Sequence, residues 1–203
     1  MFSSESENKG IFDVVHRLAY VAEYRLPDAI SHIERIRKYC FLLSRELGLS
    51  YNEAEVISYA SMLHDVGKIS LPDELVTKSG PLTASEWELT KQHPLVGAEI
   101  LKGSPSIVIQ TAEIIAYAHH ERWDGSGYPQ GLEKENIPLS GRICALADVF
   151  DALTTKRSYK MGIAIEDGVQ LINDSSNKLF DPQVVQAFRS KLGDLLKIRE
   201  TSL

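Results

Sequence analysis

The residues best equipped for chemistry lie in the stretch HHERWDGSGYP, from His119 to Pro129. Two adjacent imidazoles and the carboxylate of Glu121 stand directly before a loop with two glycines and a proline, which suggests metal ligands leading into a shaped turn. A second pair, His64 and Asp65, sits upstream in LHDVGK. Packing alone accounts poorly for both. Neighbouring helical residues point about 100° apart, so His119 and His120 suit a site spread over more than one ion. His64 beside Asp65 has the same geometry, and a carboxylate can bridge two ions through its two oxygens. Imidazole and carboxylate donors without thiolate favour iron or manganese over nickel or zinc.

The elements that must hold these residues read as helices. Apolar residues recur at helical spacing almost throughout, and no stretch alternates long enough to predict a strand. Between Asp28 and Leu47, Ile30, Ile33, Ile36, Cys40, Leu43 and Leu47 form one stripe, with Glu34, Arg35, Arg37, Lys38, Arg45 and Glu46 mostly off it. Ser50 with Glu53 and Thr83 with Glu86 fit the reciprocal capping box, and Asp181 before Pro182 is a third helix start. The predicted helices are 11–24, 28–47, 51–65, 84–92, 94–102, 106–120, 140–155, 164–173 and 182–197. On this map His64, Asp65, His93, His119 and His120 fall at helix ends, whereas Asp148 lies inside a helix.

Composition narrows the options. A chain of 203 residues suits one well-filled domain, expected over 11–203, behind a disordered tail at 1–10 with little to bury. Cys40 and Cys144 are the only cysteines and form no CxxC, which removes a disulfide framework and a thiolate zinc site. A formal charge of −6 argues against wrapping polymeric nucleic acid. The apolar runs are far shorter than the roughly 20 residues a bilayer crossing needs, and no leader is evident, so no membrane contact and a cytoplasmic location are expected.

Several residues carry two readings. Asp28 follows Pro27 at a helix start, where a cap is the ordinary role. His32 lies four residues on, on the same face, so the two could also share an ion. Gly125, Gly127 and Gly131 read as turn residues, which leaves Asp124 and Tyr128 undecided. Lys156, Arg157 and Lys160 read as a solvated helix end, where cations are favourable.

Taken in order, HIERI, LHDVGKISLPDELVTKSGPLT, QHPLVGAEIL, HHERWDGSGYPQGL, IPLSGRICALADVFDALTTKRSYK and FDPQVVQAF resemble the HD-GYP branch of the HD phosphohydrolases over roughly residues 11–190. The resemblance implies an all-α fold, a compact HD-domain helical bundle with a GYP loop. It implies hydrolysis of cyclic di-GMP at two or three divalent metal ions, with His64, Asp65, His93, His119, His120 and Asp148 as ligands. His32 and Asp28 would serve a third ion where one exists. Asp65 would be the bridging carboxylate, Lys68 would lie near the scissile phosphate, Arg157 and Lys160 would approach the phosphates, and Tyr128 would meet a guanine or shape the cleft. A diguanylate cyclase or a regulatory domain is the partner the resemblance admits. Two positions depart from the family pattern: Asp28 stands where Glu is common, and Ser158 where Pro is. The first points to pGpG as the main product. The alternatives are hydrolysis of mixed cyclic GMP-AMP and a binding module without turnover.

Overall fold

Reciprocal caps start two of the helices as the sequence suggests. The Ser50 hydroxyl accepts the Glu53 amide, and the Glu53 carboxylate accepts the Ser50 amide at 2.8 Å. Thr83 and Glu86 repeat the exchange. Each box satisfies amides that a helix start otherwise leaves unpaired. The computed structural model describes residues 4–155 and 164–201, and its described elements are helical throughout. They are α1 (Ser4–Glu23), α2 (Ala29–Glu46), α3 (Tyr51–Ser61), α4 (Asp73–Val76), α5 (Ala84–Thr90), α6 (His93–Leu101), α7 (Ile107–Ala118), α8 (Leu139–Thr154), α9 (Ile165–Asp174) and α10 (Pro182–Thr201). Short 3₁₀ helices occupy Val66–Ser70 and Lys134–Asn136. None of the helices is long and apolar enough to cross a membrane.

The core forms where α2 meets α3, α8 and α10, and where α7 meets α3, α6 and α8. Ile33, Ile36 and Leu43 of α2, Ile115 of α7, Ile143 and Leu146 of α8 and Phe188 of α10 are fully enclosed. Each such side chain contributes about 1.5–3 kcal/mol relative to exposure. Phe150 joins the layers, meeting Tyr39 and Phe188 edge-on with ring centroids 5.4 and 5.2 Å away. Both cysteines are buried and free.

Three expectations change. α1 begins at Ser4, ahead of the start expected at residue 11; extending a packed helix is cheaper per residue than nucleating one. Ile30, placed on the apolar stripe of α2, is 51% exposed, whereas Arg35, placed off it, is 1% exposed. A buried carboxylate on α8, described below, draws Arg35 inward. Finally, α3 ends at Ser61 rather than continuing to residue 65. His64 and Asp65 lie where the helix tightens, through bonds from His64 N to Ser61 O, Val66 N to Leu63 O and Lys68 N to Asp65 O.

That tight turn is pressed against the start of α6. A Cβ on Gly67 would lie 2.0 Å from the His93 carbonyl oxygen and 2.6 Å from the Gly97 amide nitrogen, so no larger residue fits. The absent side chain brings Asp65 and His93, distant in sequence, to one site.

Candidate metal centre

Three histidines of the cluster each have one ring nitrogen fixed by a group that can only accept. His93 Nδ1 donates to the Thr90 carbonyl at 2.7 Å, His64 Nδ1 to Ser61 at 2.9 Å, and His119 Nδ1 to Ala116 at 3.0 Å. A carbonyl oxygen accepts, so these Nδ1 atoms carry a proton and each ring turns inward its Nε2, the atom a metal would take. Those inward atoms converge. His93 Nε2 lies 3.4 Å from His119 Nε2 and 3.1 Å from His120 Nε2. Asp65 Oδ1 is 3.2 Å from His93 Nε2 and 3.6 Å from His119 Nε2. Lone pairs aimed at one another repel unless a cation lies among them, and this donor set suits a divalent metal.

Asp65 faces both ways. Its Oδ2 lies 3.2 Å from His64 Nε2 and receives the Lys68 ammonium. Beyond His64 a second group gathers: ligand atoms of Glu23, His32 and His64 all lie within 4.8 Å of one another. Asp148 Oδ1 stands 3.8 Å from His32 Nε2 and 3.9 Å from His64 Nε2. His32 is oriented by a carboxylate rather than a carbonyl, its Nδ1 lying 2.8 Å from Asp151 Oδ2. Asp151 is fully buried and also accepts from Arg35 Nε and, at 3.0 Å, from Arg35 Nη2.

The electrostatics of the two groups differ. Burial, then the adjoining imidazoles, pushes the pKa of His120 well below the ordinary histidine value; burial likewise lowers His119. Both favour the neutral form that binds metal. Burial opposes charge on His64 as well, but Asp65, with Asp148 and Glu23 behind it, raises its pKa to about 10. That end is a field of carboxylates that calls for positive charge. Burial also opposes charge on Lys68, yet Asp65 and Glu23 raise its pKa, so it stands as an ammonium.

A cleft of about 280 Å³ opens beside the histidines, lined in part by Lys68, Trp87, His93, His120 and Tyr128. Tyr128 stacks on His120 with ring centroids 4.7 Å apart, and Trp87 meets Tyr128 edge-on at 5.9 Å. The loop holding Tyr128 is tied down by Glu121, whose Oε1 accepts the Gln130 amide at 2.8 Å and Oε2 the Leu132 amide at 3.0 Å. The motif suggests Glu121 as a ligand; with both oxygens engaged by loop amides, it braces the loop instead. Gly127 lets the loop close, since a Cβ there would lie 2.4 Å from Arg122 N. A larger groove of about 510 Å³, walled in part by Leu95, Ile114, Tyr117 and Leu132, includes none of the clustered histidines.

The structure thus brings together His32, His64, Asp65, Lys68, His93, His119, His120, Asp148 and, at the cleft, Tyr128. Asp28 is not in either group and stands at the N-terminus of α2 without a side-chain capping bond; the carboxylate grouped with His32 and His64 is that of Glu23. Arg157, Lys160 and Ser158 lie outside the described residues. Sequence reasoning missed Glu23 and Asp151. Asp151 had a signal, since it follows Asp148 by three positions on one helix; Glu23 had none locally.

A model of the HD domain family matches residues 17–184. A cyclic di-GMP phosphodiesterase of Thermotoga maritima is 43% identical over 178 residues, covering 88% of this chain and 48% of that protein. The 3'3'-cGAMP-specific phosphodiesterase 2 of Vibrio cholerae is 41% identical over 187 residues, covering 92% of this chain and 36% of its own length. The chain therefore spans about half or less of these relatives. Among solved structures, a cyclic GMP-AMP phosphodiesterase of Vibrio cholerae superposes with a TM-score of 0.63 at 19% identity, covering 95% of this chain and 52% of that one. An HDG"Y"P protein from Bdellovibrio bacteriovorus gives 0.63 at 24% identity, covering 82% and 51%. The all-helical fold, the HD turn and the HHERWDGSGYP loop place this chain in the HD domain family, in its HD-GYP branch.

Proposed function

We propose that the chain is a metal-dependent phosphodiesterase that hydrolyses a cyclic dinucleotide, cyclic di-GMP in the first instance, in cytoplasmic second-messenger signalling. The convergence of the His93, His119 and His120 Nε2 atoms on Asp65, beside a cleft lined by Lys68 and Tyr128, carries this reading. Divalent ions bound there, iron or manganese by the donor set, would supply water activation and neutralise charge on the phosphoryl oxygens. Asp65, His64, His93, His119, His120, His32 and Asp148 would hold them.

The protein's own groups do the positioning. Lys68, held as an ammonium against Asp65, can stabilise negative charge that grows on the phosphoryl group, without needing to take up a proton. Tyr128 and Trp87 give the cleft an aromatic wall on which a purine can stack. Glu121 keeps that wall in register with His120. Arg157 and Lys160 complete the proposal as contacts to the substrate phosphates, and a regulatory domain or diguanylate cyclase as the partner.

Mixed cyclic GMP-AMP is a second candidate, because relatives named for the two dinucleotides match this chain about equally well. Anaerobic incubation of the iron- or manganese-loaded protein with each dinucleotide tests both readings, with products resolved over time. Cyclic di-GMP should be opened, with pGpG as the main product, and a His64→Ala variant should be inert. Metal-loaded protein that turns over neither compound contradicts the proposal, and turnover of cyclic GMP-AMP alone reassigns the substrate.

A further inference from the structure

Glu23 closes α1 nine residues ahead of His32 and is 3% exposed. Its Oε2 is buried without a hydrogen-bond partner among the described residues. A carboxylate oxygen in that condition is costly to bury unless positive charge lies beside it. The surrounding groups do not donate to it. His32 and His64 direct their Nδ1 protons to Asp151 and to the Ser61 carbonyl, which leaves their Nε2 atoms for the space they share with Glu23. The Lys68 ammonium is engaged by Asp65.

The backbone is arranged to keep Glu23 there. Two residues on, Arg25 donates to the Leu71 carbonyl at 2.8 Å, the Lys68 carbonyl at 2.6 Å and Asp73 Oδ1 at 2.8 Å. These bonds pin the end of α1 onto the 3₁₀ helix that follows His64 and Asp65. The Glu23 carbonyl accepts the Leu26 amide at 2.8 Å, which turns the chain away toward α2. Asp28 Oδ2 is also buried without a hydrogen-bond partner among the described residues, but it sits at the start of α2 outside the Glu23–His32–His64 group, and that position separates the two carboxylates.

We infer that Glu23 is the carboxylate ligand of a metal ion held at the His32–His64 end of the centre, in the role that sequence spacing suggests for Asp28. The inference rests on the metal-centre reading, but not on which dinucleotide is cut or whether any is. In this arrangement α1 contributes to the centre from outside the motif segments, and the ion ties α1 to α2 and to the His64 turn.

The test is manganese binding to metal-stripped protein, followed by calorimetric titration and by metal content per chain after gel filtration, for wild type, Glu23→Gln, Asp28→Asn and His93→Ala. Glu23→Gln should retain one ion fewer than wild type, or bind its weakest ion at least about tenfold less tightly. Asp28→Asn should keep the full count, and His93→Ala should lose metal independently of Glu23→Gln. Thermal melting separates a ligand from a brace. Metal-free Glu23→Gln should melt no lower than metal-free wild type, because the buried charge is gone, and should gain less on adding manganese. Full metal binding by Glu23→Gln, loss in Asp28→Asn instead, or a lower melting point of metal-free Glu23→Gln each overturns the inference. Wild type that binds manganese without hydrolysing a dinucleotide would sink the proposed function and leave Glu23 standing; wild type that binds none would overturn both.

Discussion

The two ends of the centre are built differently. At one end His93 and His119 are oriented by carbonyls three or four positions back in their own chain segment, so short motifs carry nearly everything needed. At the other, His32 is oriented by Asp151, 119 positions away, and Asp151 is in turn neutralised by Arg35 across 116 positions. The first end is made of local geometry and neutral rings. The second is a folded-in network of charges that exists only once α1, α2 and α8 have packed. A local site survives changes elsewhere in the fold; a network site reports on them.

Asp65 is where the ends meet, and its replacement gives the largest effect. Asp65→Asn should lower metal content at both ends and bring dinucleotide hydrolysis to background, measured on protein whose circular dichroism is unaltered. Retention of metal at either end would mean that the ends do not share Asp65.

Asp151→Asn separates them. Removing one partner of a buried ion pair costs about 3–5 kcal/mol, to be read by chemical denaturation. Loss of the group that orients a metal-binding imidazole weakens metal about 10–100-fold, and this should appear at the Glu23 end only. Equal weakening at both ends would erase the distinction drawn between them.

Gly127→Ala probes the loop that carries Tyr128. With a Cβ 2.4 Å from Arg122 N, the loop must shift, at a cost of about 1–3 kcal/mol. The expected kinetic signature is a raised KM for the dinucleotide with metal content unchanged. A normal KM would show that the Tyr128 wall does not meet substrate.

Glu86→Gln gives the smallest effect and belongs to neither end. The Lys78 ammonium, then the Thr83 amide, hold the Glu86 carboxyl at about 2, below its ordinary 4.5. A group depressed on folding contributes stability above its unfolded pKa and loses it as pH falls through the folded value. Glu86→Gln should therefore lower the melting temperature slightly at neutral pH and match wild type near pH 2. A difference that persists at that pH would show that the cap does not act through its charge.

The same contrast explains what could be read from the sequence. Caps at Ser50 and Thr83, the HD turn and the run of histidines each depend on neighbours within a few positions, so residue types and spacing expose them. Arg35 looked like part of a solvated face because helical periodicity counts charge as exposed; its partner lies on another helix. Glu23 carried no signal for a similar reason, since nothing within one turn of it hints at His64. The start of α1 at Ser4 and the single turn of α4 escaped because weak local preference fixes neither.

Anomalous diffraction at the manganese edge from crystals of the manganese-loaded protein tests the central claim most directly. The account predicts density among Asp65, His93, His119 and His120, and a separate peak within coordinating reach of Glu23, His32 and His64. Metal-soaked crystals with no anomalous peak at either place, the imidazoles being held together by protons instead, would contradict it.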